Sequence, residues 1–477
     1  MSSKKAMRTH SLVSHCCPPG TIRLLGAFVL TLAHLSFGNS VRAAVSMSAT
    51  PGGALLDQRL VIKILGLRAN ARVRVSAKSQ AQDALWWRSE AVFAADGLGQ
   101  IDLDRQAPQS GSYGRPDAMG LFWSMSPDKE PKAADHLSFA IQDFSRPVVT
   151  DIDVTAIDIA GVAGEVVSFS IERRFGRRDV HATSVHDPIV ATLYESDHDS
   201  ALPGVLVIGG SDGGAGAPGV ATLLASHGFA AVSLSYFGVA GLPPTLENIP
   251  MEYFQQALLW MRSRADIDPR SIAIYSESRG TEAALFTAAN DRGISAVVAR
   301  SPSFTLWSGV TAAHLPGKAA WNLGGQALPY VPNTLYPDFV LTYLWDKMTG
   351  IPVRQTPLFL EDLAHVKDPD KAAIPVEQIH GSVMLLAGAD DQIWPSTNMA
   401  ERIMARLRLH NHAFQDQSVT FSDVGHAIPY VYLPTRGNWD TSPFAVGGTA
   451  EGMAKAQAEA WPAILKFLSE QAVIKMR

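Results

Sequence analysis

The chain has 477 residues, which is too long for one ordinary domain and predicts two. Its composition, with 47% hydrophobic and 18% charged residues, excludes an intrinsically disordered protein. A formal net charge of −5 provides no electrostatic reason to bind nucleic acid or an anionic membrane surface.

The first 43 residues differ from the rest of the chain. They contain five lysines and arginines and no acidic residue, and a 15-residue apolar run at 24–38 is followed by the sequence SVRAA. This pattern predicts a signal peptide at residues 1–43, cleaved near Ala43, and therefore a secreted or periplasmic protein. The alternative is an uncleaved membrane anchor, although the run is shorter than the roughly 20 residues that a spanning helix needs.

The two cysteines, Cys16 and Cys17, both precede the apolar run. After the predicted cleavage the mature protein would contain no cysteine. This excludes a disulfide, a thiolate metal site and a cysteine nucleophile from the mature chain.

Residues 45–186 contain short apolar segments that alternate with polar residues and are separated by turns. Examples are LVIKILGL (60–67), RVRVSAK (72–78) and VSFSIERRF (167–175). Alternation with a period of two, punctuated by Gly and Asp, predicts an N-terminal β-sandwich domain over residues 45–186. No catalytic constellation is visible in this part of the sequence.

From residue 188 onward, strands alternate with helices. The predicted strands are at 189–196, 203–210, 229–237, 271–276, 294–300, 381–391 and 418–424, and the predicted helices at 218–228, 251–265, 281–290, 398–410 and 450–471. This alternation predicts a mostly parallel sheet with helices on both faces, in a second domain at 188–477. A stretch rich in Gly, Pro and aromatic residues at about 303–378 interrupts it and is predicted to be a lid-like insertion.

Two serines compete for the role of nucleophile in the second domain. GGSDG (209–213) matches the Gly-x-Ser-x-Gly elbow pattern, whereas SESRG (276–280) has Ser276 in place of the first glycine. In the α/β-hydrolase fold, which the pattern of elements predicts, the nucleophile lies on a strand-to-helix turn near the middle of the sheet. Ser278 follows the fourth or fifth strand and Ser211 only the second, so Ser278 is the predicted nucleophile.

The glycine-rich loop around Ser211 then takes a different role. It precedes the nucleophile, and its glycines allow backbone amides to turn toward a ligand. We predict an oxyanion hole formed by the backbone N–H of Arg279 and one from Ser211 or Asp212. A phosphate-binding loop is the rival interpretation, but the Lys and Ser/Thr of such a loop are absent.

Candidates for the acid and the base follow later strands in the order that this fold requires. Asp391 lies three residues after a glycine and four before a proline, as the acid does in many hydrolases, and Asp390 is the alternative. A helix cap is the structural explanation for either aspartate. His426 follows the last strand and is the predicted base, which completes a Ser278–Asp391–His426 triad that needs no metal or organic cofactor.

Several longer stretches together resemble one family. They are WWRSEAVFAADGLGQIDLDRQAP (86–108) and GSYGRPDAMGLFWSMSP (111–127) in the first domain, and LLASHGFAAVSLSYFG (223–238), EYFQQALLWM (252–261), SESRG, GADDQIWPS (388–396) and GHAIPY (425–430) in the second. They are similar to the acyl-CoA thioesterase and bile acid-CoA:amino acid N-acyltransferase family over most of residues 45–470. Members of that family join a β-sandwich to a dienelactone-hydrolase-like α/β domain.

The resemblance implies that Ser278 is the nucleophile, Asp391 the acid and His426 the base. Because the branch that transfers acyl groups to amino acids uses cysteine, serine here implies hydrolysis of an acyl-CoA-like thioester or an ester, as in fatty acid metabolism. Two alternatives stay open: an exported carboxylesterase or dienelactone-type hydrolase acting on a non-CoA ester, and an inactive binding protein. The predicted partner is a small acyl thioester or ester, with no nucleic acid and no stable membrane insertion after cleavage.

Overall fold

The computed structural model describes residues 44–129, 138–157, 163–211, 216–311, 316–436 and 444–476. The predicted signal peptide and Asp212 lie outside these residues. Residues 43–477 cluster into one compact unit.

The N-terminal part consists of two antiparallel sheets. The first has the order β1 (Ser46–Thr50), β2 (Val61–Leu65), β5 (Ile101–Asp102); the second has the order β6 (Ser110–Gly111), β4 (Trp86–Ala94), β3 (Arg72–Gln80), β8 (Val148–Ile157), β9 (Ala163–Arg173), with β7 (Ser126–Pro127) paired to β4. Alternate residues of β2 and β3 point inward, and Ile62, Ile64, Val73 and Val75 are buried in the same core. The predicted N-terminal β-sandwich is confirmed.

The second part contains an eight-stranded sheet. Its spatial order is β10 (Val180–Val185), β11 (Ala191–Ser196), β13 (Ala230–Leu234), β12 (Leu202–Ile208), β15 (Ile267–Glu277), β16 (Ile294–Arg300), β21 (Ser382–Gly388), β22 (Gln417–Phe421). β11 is antiparallel to both of its neighbours, and all strands from β13 to β22 are parallel. β10 already belongs to this sheet, so the sheet begins before the boundary predicted at residues 186–188.

Helices cover both faces of this sheet. They are α2 (Pro218–Ser226), α3 (Met251–Ser263), α4 (Gly280–Ala289), α7 (Ser396–Leu409) and α8 (Ala450–Met476); a short α1 (Gly120–Trp123) lies in the N-terminal part. Alternate strand residues divide between two cores, one shared with α2, α8 and the N-terminal sheets and the other with α3, α4 and α7. Burial on both faces explains why β16 and β21 are almost continuously apolar. This arrangement is the α/β-hydrolase fold that the sequence predicted.

The predicted insertion at 303–378 contains short strands and two helices. These are β17 (Ser308–Val310), β18 (Pro316–Ala319), β19 (Trp321–Leu323), β20 (Gln326–Ala327), α5 (Pro337–Thr349), α6 (Thr356–His365) and two 3-10 turns, and β19 pairs with β14 (Ile249–Pro250). α5 buries none of its residues, whereas α6 buries Leu358, Asp362 and Leu363. A lid function for this segment stays a prediction.

Candidate active site

Ser278 lies on the turn that joins β15 to α4. Its φ of +50° is a left-handed value that non-glycine residues rarely adopt, and its N–H donates to the carbonyl oxygen of Arg300 on β16 (2.9 Å). The turn is tight, because a Cβ on Gly280 would lie 2.3 Å from the carbonyl oxygen of Gly209. This is the strained strand-to-helix geometry of a nucleophile elbow.

Ser276 stands in place of the usual first glycine of the elbow, and its hydroxyl has a hydrogen-bond partner. The side chain is fully buried, and its hydroxyl donates to the carbonyl oxygen of Val298 on the neighbouring strand β16 (3.0 Å). The space that glycine leaves empty in other elbows is therefore filled here by a hydroxymethyl group with a partner.

The structure brings Ser278, Asp391 and His426 together from the ends of three strands. Nε2 of His426 lies 2.8 Å from the Ser278 hydroxyl oxygen, and Nδ1 lies 2.9 Å and 3.2 Å from the two carboxylate oxygens of Asp391. The ring of Trp394 packs edge-on against the imidazole, with the two ring centroids 5.7 Å apart. The side chains of His426 and Asp391 are 14% and 2% exposed, and this shielding from water strengthens the interaction between them.

The two neighbouring aspartates have different partners. A carboxylate oxygen of Asp391 accepts from the backbone N–H groups of Ile393 (3.0 Å) and Trp394 (3.2 Å) in addition to His426. Asp390 instead accepts from the N–H of Gly448 (2.7 Å) and from the side chain of Gln392 (2.6 Å). Of the two acid candidates, Asp391 is the one in contact with the imidazole.

A short stretch near the C-terminus, residues 444–448, connects the acid loop to the base loop. The N–H of His426 donates to the carbonyl oxygen of Val446 (2.9 Å), and a Cβ on Gly447 would lie 1.7 Å from the carbonyl oxygen of Asp390. On the other side, the hydroxyl of Ser301 donates to the carbonyl oxygen of His426 (2.5 Å). In the sequence, a pair of glycines at 447 and 448 is the only signal of this stretch, and it was not among the predicted site residues.

Of the predicted oxyanion groups, Arg279 and Ser211 lie within the described residues, and Gly210, which precedes Ser211, lies close to Ser278. A Cβ on Gly210 would lie 3.1 Å from the Ser278 Cβ. Within the described parts of the chain, the N–H groups of Arg279 and Ser211 find no acceptor. Ser211 itself is exposed, and no described histidine bonds its hydroxyl.

A buried ion pair lies beside the elbow and was missed by the sequence analysis. The guanidinium of Arg279 contacts the carboxylate of Glu282, which also accepts from the N–H of Trp307 and the indole of Trp321 (2.9 Å each). Burial raises the pKa of Glu282 above the usual carboxyl value, and the Arg279 charge opposes that rise. Glu282 is the single acidic residue in the otherwise apolar helix sequence TEAALFTAAN, and this isolated charge could have indicated the ion pair.

This arrangement can move a proton and stabilise an anion. The imidazole can accept the Ser278 proton while the carboxylate of Asp391 holds its tautomer, and the N–H groups of Arg279 and Ser211, which have no acceptor among the described residues, are available to an anion. Among the described residues, no group of three His, Cys, Asp or Glu side chains is arranged to hold a metal ion.

Comparison with known proteins identifies the family. The model "BAAT / Acyl-CoA thioester hydrolase C terminal" matches residues 249–473, and "Acyl-CoA thioester hydrolase/BAAT N-terminal region" matches residues 57–187. The chain belongs to the acyl-CoA thioester hydrolase/BAAT family. Within this family, the human mitochondrial acyl-coenzyme A thioesterase 2 is 26% identical over 449 residues, which are 90% of this chain and 86% of the relative.

Other members of the acyl-CoA thioester hydrolase/BAAT family are equally similar. Acyl-coenzyme A amino acid N-acyltransferase 1 of the mouse is 26% identical over 440 residues, or 89% of this chain and 97% of the relative. Among solved structures, a sugar hydrolase from Lactococcus lactis matches with a TM-score of 0.39 and 12% identity, covering 62% of this chain and 99% of that one. The relatives thus include acyl-CoA thioesterases and an amino acid N-acyltransferase, and the thioesterases among them support a hydrolase.

The prediction of a secreted or periplasmic protein is wrong. The human and rat acyl-coenzyme A thioesterases 2, both relatives of this chain, are mitochondrial. The prediction rested on residues 1–43, which lie outside the described residues; basic residues without acidic ones occur in organelle-targeting leaders as well as in export signals. No helix in the described residues is both long and apolar enough to cross a membrane.

Proposed function

We propose that the protein hydrolyses an acyl thioester of the acyl-CoA type through an acyl intermediate on Ser278. The observation that carries this proposal is the 2.8 Å contact between the Ser278 hydroxyl and His426 Nε2, with Asp391 bonded to the other ring nitrogen. The membership of the chain in a thioesterase family supports the choice of substrate class.

The reaction takes place in two steps. The Ser278 oxygen attacks the thioester carbonyl as His426 removes its proton, and the carbon–sulfur bond then breaks while the imidazolium returns that proton to the departing thiol. A water molecule next attacks the acyl-serine with His426 as its base, releasing the acid and restoring Ser278. The Asp391 carboxylate stabilises the imidazolium in both steps.

The oxyanion that develops in each step is bound by backbone N–H groups. The N–H of Arg279 follows the nucleophile directly, and the second donor comes from the 209–213 loop, at Ser211 or Asp212. Loss of one such donor typically costs about 3 kcal/mol in the barrier.

Water, and not an amino acid, is the proposed acceptor of the acyl group. Amino acid N-acyltransferases are among the relatives of this chain. A serine ester is a less activated acyl donor than a cysteine thioester, and this favours water as the acceptor at Ser278. Hydrolysis of a non-CoA ester by the same triad is the second candidate, because the chemistry at the carbonyl is identical.

A substrate panel on the purified protein tests the proposal. We expect release of free thiol from acyl-CoAs at a kcat/KM well above that for simple p-nitrophenyl esters. Substitution of Ser278→Ala should lower kcat by roughly 10⁴-fold or more. Ser211→Ala is the matched control, since it removes a hydroxyl but keeps the backbone N–H, and its activity should stay within a few-fold of wild type.

Three other outcomes would contradict, respectively, the proposed nucleophile, the proposed substrate class and the proposed acceptor. Activity lost in Ser211→Ala but kept in Ser278→Ala would overturn the assignment of the nucleophile. Ester hydrolysis without thioester hydrolysis would favour the second candidate. Formation of an N-acylated product when glycine or taurine is added would show that an amine, and not water, is the acceptor of the acyl group.

A further inference from the structure

The loop opposite the elbow is held by one buried phenol. Tyr236 follows β13 and has no exposed surface, and its hydroxyl lies 2.9 Å from the carbonyl oxygen of Gly209 and 2.7 Å from that of Gly210. These carbonyl groups belong to two consecutive peptide units. The one phenolic proton is shared between the two carbonyl oxygens in a three-centre hydrogen bond, and through it a single side chain orients both peptide units.

The direction of each carbonyl determines that of an N–H group. In a planar trans peptide the oxygen and the hydrogen point to opposite sides, and neither of these two peptide bonds is cis. The carbonyl of Gly209 shares its unit with the N–H of Gly210, and the carbonyl of Gly210 shares its unit with the N–H of Ser211. With both oxygens held at Tyr236, both N–H groups point away from it.

The residue whose carbonyl and N–H groups are held in this way, Gly210, lies next to the nucleophile. A Cβ on Gly210 would lie 3.7 Å from the Ser278 hydroxyl oxygen. No described residue accepts a hydrogen bond from the N–H of Gly210 or Ser211. Gly210 is buried, whereas Ser211 is exposed. A buried donor without an acceptor, such as the N–H of Gly210, is rare in folded proteins, and donors without an acceptor are what an oxyanion hole requires.

The ring of Tyr236 is locked by its neighbours. It packs against Phe237, Phe254 and Trp321, with centroid distances of 5.1, 5.6 and 6.0 Å. Such packing leaves the hydroxyl one position, so the loop is held ready before a substrate arrives.

We propose that Tyr236 is a positioning residue for the oxyanion hole: its hydroxyl holds the Gly209 and Gly210 carbonyls so that the N–H groups of Gly210 and Ser211 face the anion formed at Ser278. This rests on the proposed function insofar as Ser278 is the nucleophile. Tyr236 does not touch the reacting atoms. Its contribution appears when negative charge develops and not when the substrate binds.

The variant Tyr236→Phe tests the proposal because it removes only the hydroxyl and keeps the ring contacts. We expect kcat for ester or thioester hydrolysis to fall roughly 10- to 100-fold, somewhat less than the loss of a whole oxyanion donor, with KM changed less than about threefold. A trifluoromethyl ketone that forms a tetrahedral adduct should lose affinity by the same factor as kcat/KM. A thioether analogue of the substrate should bind as to wild type.

Tyr253→Phe is the matched control. The hydroxyl of Tyr253 also makes two main-chain hydrogen bonds nearby, to the carbonyl oxygen of Ser235 (2.9 Å) and from the N–H of Val190 (2.8 Å), but it does not touch the oxyanion loop. This variant should keep the wild-type kcat. Replacement of Tyr236 by p-aminophenylalanine, which returns a donor to the same place, should restore most of the rate.

Three results would overturn the proposal: a wild-type kcat in Tyr236→Phe, an equal loss of thioether and ketone affinity, or no rescue by the amino group. The rate at which a fluorophosphonate labels Ser278 separates this inference from the proposed substrate. If the wild type is labelled but does not hydrolyse acyl-CoA, only the substrate is wrong, and Tyr236→Phe should still slow labelling. If Ser278 of the folded wild type is not labelled, both proposals fail.

Discussion

Ser276 shows how one residue outside the usual pattern is accommodated by its neighbours. Its side chain points at β16, where the carbonyl oxygen of Val298 accepts the hydroxyl proton, so burial of the polar group is compensated. Gly280, two residues after Ser278, has no such freedom, because the carbonyl oxygen of Gly209 occupies the space of a side chain. Only one of the two elbow glycines is therefore required by the packing of this protein.

This leads to a prediction for Ser276→Gly. The variant loses a buried hydrogen bond and gains chain entropy in the unfolded state, so we expect the free energy of unfolding to fall by about 1–2 kcal/mol, with kcat within a few-fold of wild type. Urea denaturation and steady-state kinetics measure both. Ser276→Ala, which keeps Cβ, is the control and should lose only the hydrogen-bond part. A rise in kcat above tenfold in Ser276→Gly would mean that the serine distorts the elbow.

At the scale of elements, α4 and α5 have similar lengths but opposite degrees of burial. All residues of α4 are buried between the sheet and its neighbours, whereas none of the residues of α5 is buried. Apolar residues of α5 (Leu341, Leu344, Trp345 and Met348) are more than half exposed. Because α5 buries none of its residues, it gains little stability from tertiary packing. An isolated helix of this length is only marginally stable in water.

We therefore predict that backbone amides of α5 exchange with deuterium roughly 10²-fold faster, or more, than those of α4. Hydrogen-exchange mass spectrometry on the intact protein measures this difference. α7, which buries one face only, is an internal reference and should be intermediate. Exchange in α5 as slow as in α4 would show that another surface covers this helix in solution.

At the scale of the whole molecule, the sandwich and the hydrolase sheet are joined by polar bonds inside a shared core. The buried guanidinium of Arg173, at the end of β9, donates to the carbonyl oxygen of Tyr432 (2.7 Å) and lies over the ring of Phe122. Desolvation lowers the pKa of Arg173 to about 9. The indole of Trp461 on α8 donates to Asp57 in the N-terminal part (2.8 Å). These contacts favour unfolding of both parts in one cooperative transition.

The stability of the whole chain should decrease in acid. Hydrogen bonds from Arg264, Arg270 and Arg406 lower the pKa values of Asp266, Asp268 and Glu377, respectively. Because the folded-state pKa of each carboxyl lies below its unfolded value, the stabilisation is present above the unfolded pKa of about 4 and is lost as the pH falls through the folded pKa. The free energy of unfolding should thus fall between about pH 5 and pH 2.

The variant Glu377→Gln isolates one of these contributions. It should lower the free energy of unfolding at pH 7 and reduce the slope of stability against pH in the acid range. Asp368→Asn, at an exposed pair with Lys371, is the control and should change little. If the slope of the unfolding free energy against pH is unchanged in Glu377→Gln, the Glu377–Arg406 ion pair does not contribute to the loss of stability in acid.

The parts of the structure that the sequence predicted are those set by local pattern. Alternation in β3 and the apolar runs of β16 and β21 reflect burial on one or two faces, so the sandwich and the hydrolase sheet could be predicted. The spacing around Asp391 likewise indicated which aspartate meets His426. Contacts of Tyr236, Glu282 and residues 444–448 depend on distant strands meeting, and no local pattern encodes them. The interpretation of residues 1–43 as an export signal was wrong, and their basic, acid-free composition is not specific, because several kinds of targeting segment share it.

The bonds that residues 444–448 make to the acid and base loops have a consequence for the order of synthesis. Ser278, Asp391 and His426 all leave the ribosome before Val446, whose carbonyl holds the backbone of His426. A nascent or C-terminally shortened chain that ends before Phe444 thus carries every reacting side chain but lacks the backbone that joins the two loops. We therefore expect competence for acylation of Ser278 to arise late in translation, after the sandwich and all eight strands of the hydrolase sheet have been made.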